Sequence, residues 1–201
     1  KDPVVGSHSQ QVASVSATVQ NQINTTELTA LLKWVTEGHL VEVETLLKKS
    51  PILALGTGTV IDRSERTFKN ITVLQYAAWA LDVEMCELII GYLGTHNTVI
   101  QLNALANEPE CYSPHGAIYD FSLLVTKTQT YVDKWSGWNY AERMHYWQKE
   151  VGGEQRKCPA WLIYAWSEEG EDVAWTKQDG KRTIKREYDK HRLEWWFTES
   201  Y

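Results

Sequence analysis

Cys111 and His115 stand four residues apart around Pro114, and a thiol beside an imidazole is the pairing nucleophilic catalysis uses, because the base removes the proton that masks the thiolate. The rest of that machinery is missing. Nucleophile and base are normally brought together from distant positions, and neither a third orienting group nor an oxyanion loop is recognisable here. Adding Cys86 or His96 would suggest zinc, yet the paired C-x-x-C or H-x-x-x-H spacing of a structural site is absent, so no metal is expected. Gly152-Gly153 and Gly56-x-Gly58 lack the Gly-Lys-Ser/Thr ending of a phosphate loop and read as turns. Glu168, Glu169, Glu171 and Asp172 form one solvated run rather than a separated acid–base pair. No catalytic residue and no cofactor are assigned; an enzyme or enzyme regulator using Cys111 and His115 is the alternative reading. A nucleotide- or phosphoinositide-binding site near Lys181 to Arg192 is a further one.

Residues suited to binding are more prominent. Arg63, Arg66, Phe68 and Lys69 mix cations with an aromatic ring, a combination that suits an acidic protein partner. Ten tryptophans are present, eight of them after residue 130, and indoles are large amphipathic contact groups. Trp79, Trp138 and Trp147 join the partner-binding candidates, and Trp161 belongs with the last two. Buried, such rings make an aromatic core; exposed, they make a recognition surface.

Composition narrows the partners. The chain of 201 residues carries a net charge of -6 with a pI near 5.5, which argues against nucleic acid, since phosphate neutralisation needs excess Lys and Arg. Three cysteines without regular spacing point to free thiols and a reducing compartment rather than a disulfide framework. No apolar run approaches the roughly 20 residues of a transmembrane helix. The chain starts at Lys1 without a signal-peptide pattern and reads as an excised domain.

The elements that must position these residues are clearest in the centre. Thr26 offers an N-cap hydroxyl ahead of Leu28, Leu31, Leu32 and Val35, a helical stripe running to about Glu37. Gly38 stops it. Leu40, Val43, Leu46 and Leu47 form a second stripe, with Glu42 and Glu44 early and Lys48 and Lys49 late, and Pro51 closes it. The arrangement returns in Thr72, Leu74, Ala77, Ala78 and Leu81, then Val83, Met85, Cys86, Leu88, Ile89 and Leu93. Between the two pairs, residues 56–70 place β-formers around a polar Asp-Arg-Ser-Glu turn, which predicts a protruding hairpin, a finger.

These residues resemble the ankyrin family, whose repeat reads roughly Thr-Pro-Leu-His-x-Ala-Ala-x-x-Gly-His followed by a second helix ending in Val-x-x-Leu-Leu. The first copy matches at Thr29, Leu31, Gly38, His39, Leu40, Val43, Leu46 and Leu47, and the second at Thr72, Leu74, Ala77, Ala78, Leu88 and Leu93. The register is about 43 residues against the usual 33 or so, Leu81 occupies the glycine position, and the Thr-Pro-Leu-His tetrapeptide is absent; an elongated finger accounts for the length. Two repeats need caps. A helix over Val12 to Ile23 would cover one end and Val99, Leu102, Leu105 and Ala106 the other. The stretches Trp138 to Arg143 and Val151 to Ala160 look like segments of effector proteins of intracellular bacterial pathogens. That resemblance implies secretion into the host cytoplasm and a host or bacterial protein as partner.

In the C-terminal half, Ala117 to Val132 reads as a helix packed on the repeats, and Trp138, Ala141, Met144, His145 and Val151 as another that Gly152-Gly153 ends or bends. Pro159 opens a short helix to Trp166. Val173 to Trp175, Asp179-Gly180 and Thr183-Ile184 predict a small hairpin, and Glu187 to Phe197 is amphipathic. The expectation is a mainly α chain: a flexible tail over 1–11, an ankyrin-like helical repeat region with a β-hairpin finger over 12–107, and a Trp-rich, mostly helical region over 108–201 packed on the repeats.

Overall fold

The computed structural model describes residues 23–167 and two short strands further on, Thr176–Gln178 and Lys181–Thr183. The tail, most of the Val12 to Ile23 helix, the acidic run, the Asp179-Gly180 dipeptide and the Glu187 to Phe197 stripe lie outside the described residues. The chain is mainly α-helical, with small two-stranded sheets.

Helix α1 spans Thr25–Glu37 and buries Leu28, Leu31, Leu32 and Val35, the spacing of one helical face. Its cap is Asn24 rather than Thr26: the Asn24 side chain accepts from the Thr26 N–H at 3.0 Å and the Glu27 N–H at 3.3 Å, so the helix starts earlier than the hydroxyl signal suggests. Gly38, at φ 77°, ends it. Helix α2, Leu40–Lys49, buries Val43, Leu46 and Leu47, and Pro51 opens a 3₁₀ turn, Pro51–Leu55, that buries Leu53 and Ala54.

Strands β1, Gly58–Ile61, and β2, Thr67–Ile71, pair antiparallel with Val60 opposite Phe68. The hairpin is present, but it lies down on α1 instead of protruding. A Cβ at Gly56 would meet Leu28 at 2.9 Å, and one at Gly58 would meet Leu32 at 2.6 Å, so the missing side chains let the backbone approach the helix. Along β2, Phe68 turns into the core and Lys69 to solvent, and the left-handed backbone of Asn70, at φ 52°, breaks the alternation and returns Ile71 to the core.

Helix α3, Val73–Trp79, starts at a capping box in which Thr72 and Gln75 bond each other's backbone N–H. Helix α4, Val83–Asn107, is capped by Asp82 and broken at Gly94. Helix α3 packs on α4 as α1 packs on α2, while α1 also meets α3 and α2 meets α4, so the two helix pairs lie side by side. A buried polar network fastens them to the 3₁₀ turn: Thr72 Oγ1 donates to Gln101 Oε1 at 2.6 Å, Gln101 Nε2 to the Ala54 carbonyl at 3.1 Å, and Gln75 Nε2 to the Gln101 carbonyl at 3.1 Å. Thr98, Gln101 and Leu105 face inward on the second part of α4, and Val99, expected in the cover, is half exposed.

Helix α5 covers Ser122–Lys134, not Ala117 to Val132. Asp120 explains the late start, since its carboxylate accepts from the Ser122 N–H at 2.8 Å and from its hydroxyl at 2.9 Å, holding the preceding residues in a turn. Helix α6, Tyr140–Tyr146, continues through a π turn, Trp147–Val151, into α7, Gly152–Gln155. The Gly152-Gly153 pair therefore sits inside helix; the extra residue of the π turn re-aims the chain just before it. Helix α5 packs on this π turn and α7. Helix α8, Ala160–Ser167, returns to α1. Strands β3, Thr176–Gln178, and β4, Lys181–Thr183, pair antiparallel.

Candidate functional site: the turn edge of the helix pairs

The two turns that join α1 to α2 and α3 to α4 are built alike. Gly38 N–H donates to the Val35 carbonyl at 3.2 Å and His39 N–H to Trp34 at 2.9 Å; Leu81 N–H donates to Ala78 at 3.1 Å and Asp82 N–H to Ala77 at 2.9 Å. Both are Schellman closures, which need a left-handed residue at the second-to-last donor. Gly38 meets that need at φ 77°, whereas in the second unit Leu81 is forced to φ 58°. A leucine there costs about 1–2 kcal/mol that glycine avoids.

Because α1 lies on α3 and α2 on α4, the two turns share one edge of the molecule. That edge displays aliphatic side chains: Val41 and Val83 are each 68% exposed and Leu81 39%. Leu81 stands where the ankyrin pattern has glycine. Val83, expected on a packed face, is exposed because the first turn of a helix has neighbours on fewer sides than periodicity assumes.

The finger residues separate. Phe68 is fully buried, with Trp79 at 4.6 Å between ring centroids and Tyr76 at 5.0 Å, and Trp79 is buried with it. Neither reaches a partner; both are corrected from surface contacts to core. Arg66 also turns inward. Its Nε and Nη2 each lie 2.7 Å from Asp62 Oδ2, and its guanidinium lies 4.8 Å from the centre of Trp79 and 5.0 Å from that of Tyr119. Asp62 is buried, and its other oxygen accepts from the Ser64 and Arg66 N–H groups at 2.9 and 3.0 Å. The Asp-Arg-Ser-Glu turn is thus folded around its own carboxylate, with the charge of Arg66 spent on Asp62 and two rings. Arg63 and Lys69 remain exposed.

Cys111 and His115 do not form a working pair. Cys111 Sγ lies 3.9 Å from a Glu108 carboxylate oxygen, while the His115 ring rests near Phe68 and Trp79, at 5.8 and 6.3 Å between centroids. Loss of hydration, then the Arg66 charge, lowers the His115 pKa below its ordinary 6.5. Burial pushes the Cys86 thiol up to about 12 and raises Cys158 as well, opposite to what an attacking thiol needs. Among the described residues no three His, Cys, Asp or Glu side chains gather as a metal site.

The C-terminal region is tied to the end of α3. Tyr119 N–H donates to the Trp79 carbonyl at 2.7 Å, and the Trp161 indole N–H donates to the Ala80 carbonyl at 2.8 Å. These satisfy carbonyls that a helix end leaves without partners. Trp138 and Trp147 lie apart from the turn edge, with Trp138 4.8 Å from Tyr146 and Trp147 4.9 Å from Tyr131.

The chain is 32% identical over 148 residues to an uncharacterized protein of Coxiella burnetii. The match takes in 62% of this chain and 43% of that protein, so the chain spans less than half the length of this relative. No family model matches the chain, and no solved structure matches it. No described helix is long and apolar enough to cross a membrane.

Proposed function

We propose that the chain is a protein-interaction module of a secreted bacterial effector, an ankyrin-like helical-repeat scaffold that engages a host protein through the edge formed by Val41, Leu81 and Val83. The observation that carries this reading is Leu81: a leucine held in a left-handed conformation with much of its side chain in water. Backbone strain kept where glycine would relieve it is a mark of functional positions. Here its product is an exposed apolar side chain beside two others.

The ankyrin-like part is supported by the matched Schellman turns and by helix pairs stacked side by side. The bacterial part is supported by the Coxiella burnetii relative; delivery into a host cell rests on the resemblance of the C-terminal stretches. The finger contributes less than its composition suggests, because only Arg63 and Lys69 of its four candidates face solvent. Capture of host proteins by the immobilised chain tests the reading. Val41→Asp with Val83→Asp should abolish retention of the partner that wild type holds, with an unchanged circular dichroism spectrum; retention by the double variant sinks it.

A further inference from the structure

The turn edge is apolar at its centre and acidic around it. Residues 70–126 contain no Lys or Arg, so α4 opens on Asp82, Glu84 and Glu87 without a cation of its own to balance them. Glu87 stands one turn beyond Val83 on the same face, and Glu42 follows Val41 in the first turn of α2. Both Glu42 and Glu87 are exposed, and neither makes an ion pair among the described residues.

The elements around the edge leave this charge standing. In the first helix pair every lysine is matched: Lys33 lies 3.9 Å from Glu37, Lys48 2.7 Å from Glu44 and Lys49 2.6 Å from Glu27, so Glu42 is in excess. With the three carboxylates of the second pair, which holds no cation, the excess is four. The hairpin turn sets Arg63 and Arg66 against Asp62 and Glu65, and α8, whose Trp161 bonds the Ala80 carbonyl, contains no charged residue. Arg156, whose carbonyl accepts from Ser64 at 3.4 Å, is offset by Asp120, next to the Tyr119 that bonds the Trp79 carbonyl. Helix dipoles contribute little, because the edge joins the C-terminal ends of α1 and α3 to the N-terminal ends of α2 and α4.

We infer that the partner of this edge is a protein surface with an aliphatic centre bordered by Lys and Arg. The inference rests on the interaction reading of Val41, Leu81 and Val83 and adds the charge of what they meet. An apolar centre inside a charged rim is the usual anatomy of a protein interface, and rim charges of opposite sign steer the encounter. The same carboxylates select against other occupants. Nucleic acid and anionic bilayers would bring phosphates toward them. A second copy of the chain, of net charge -6, would set an identical acidic rim against this one across a two-fold axis. The partner is thus opposite in sign to the acidic one that residues 63–69 suit by composition, of which Arg66 is folded onto Asp62.

Fluorescence anisotropy with the full chain tests this, using a labelled amphipathic helical peptide of Leu and Lys and its counterpart with Glu in place of Lys. The chain should bind the Lys peptide and ignore the Glu peptide, and raising salt from about 50 to 200 mM should weaken the binding. Glu42→Gln with Glu87→Gln, both at exposed positions, should raise the dissociation constant about three- to tenfold at the lower salt. Val41→Ser with Val83→Ser should raise it as well. Glu108→Gln with Glu110→Gln, exposed carboxylates beyond the far end of α4, should leave it unchanged. Equal binding of the two peptides, binding of neither, or an equal loss from the Glu108 and Glu110 variant would overturn the inference. Loss in the valine variant with none in the Glu42 and Glu87 variant overturns it too, while keeping the apolar edge as a contact surface. Loss in the Glu42 and Glu87 variant with none in the valine variant sinks the apolar edge itself, and the inference with it.

Discussion

Gly38 and Leu81 occupy the same place in two helix–turn–helix units: each is left-handed, each donates its N–H to the carbonyl three residues back, and each is followed by a residue bonded five back. Only one of them is a glycine. The backbone asks for the same conformation twice and the sequence meets it once without strain. Replacing Leu81 with Gly should raise unfolding free energy by about 0.5 kcal/mol, the relief of the left-handed leucine less the entropy glycine adds to the unfolded chain. Gly38→Ala should lower it by about 1 kcal/mol. Urea midpoints at constant slope measure both; a loss for Leu81→Gly would mean that its side chain packs within this chain after all.

Phe68 and Lys69 are neighbours with opposite fates. Phe68→Ala should destabilise the protein by about 3–5 kcal/mol, since it empties space shared with Trp79 and Tyr76. Lys69→Ala, at an exposed position, should fall within about 0.5 kcal/mol of wild type. Similar midpoints for the two variants would contradict the inward register of β2.

Much of this could be read in the sequence, and the failures have physical causes. Leu28, Leu31, Leu32 and Val35, then Gly38, then Val43, Leu46 and Leu47 show their burial by period alone, because each helix packs one face. Phe68 and Arg66 were misread because composition marks a turn as polar without revealing that Asp62 would fold inward and draw Arg66 after it. The start of α5 was missed because Ile118 and Phe121 fit a helical stripe, while the Asp120 bonds to Ser122 that interrupt it leave no apolar signature. The turn edge depends on how α1 lies against α3, a contact between distant segments that periodicity within either does not contain. Leu81 was visible as a departure from the glycine pattern, and only its φ angle gave that departure a meaning.

Trp161 holds the C-terminal region to the body through one donor. Trp161→Phe keeps much of the ring but leaves the Ala80 carbonyl without its indole N–H, and should cost about 1–3 kcal/mol. Hydrogen exchange should show faster amide exchange in α8 and the end of α3 than in α2. Unchanged protection at both places would remove the indole bond from the account.

Glu154 predicts an acid limb of stability. Burial alone would raise its carboxyl, but ion pairs with Lys157 and Lys127, at 3.0 and 3.1 Å, prevail and hold it below its ordinary 4.5. The folded protein therefore releases this proton more readily than the unfolded chain. The associated stability is fully present above the ordinary carboxyl value and is lost as pH falls through the lowered one. Wild type should lose stability below pH 4.5 more steeply than Glu154→Gln, as denaturant midpoints across that range would reveal. Parallel curves would show that the carboxyl titrates alike in both states.

The interaction reading turns on what touches the turn edge. A photo-crosslinking side chain placed at Val83, and in a control chain at Lys69 on the hairpin, measures this directly in host cells producing the full chain. The account predicts a discrete protein adduct from position 83, reduced when Leu81→Gly is added and absent from position 69. No adduct from position 83, or an equal one from both positions, would contradict it.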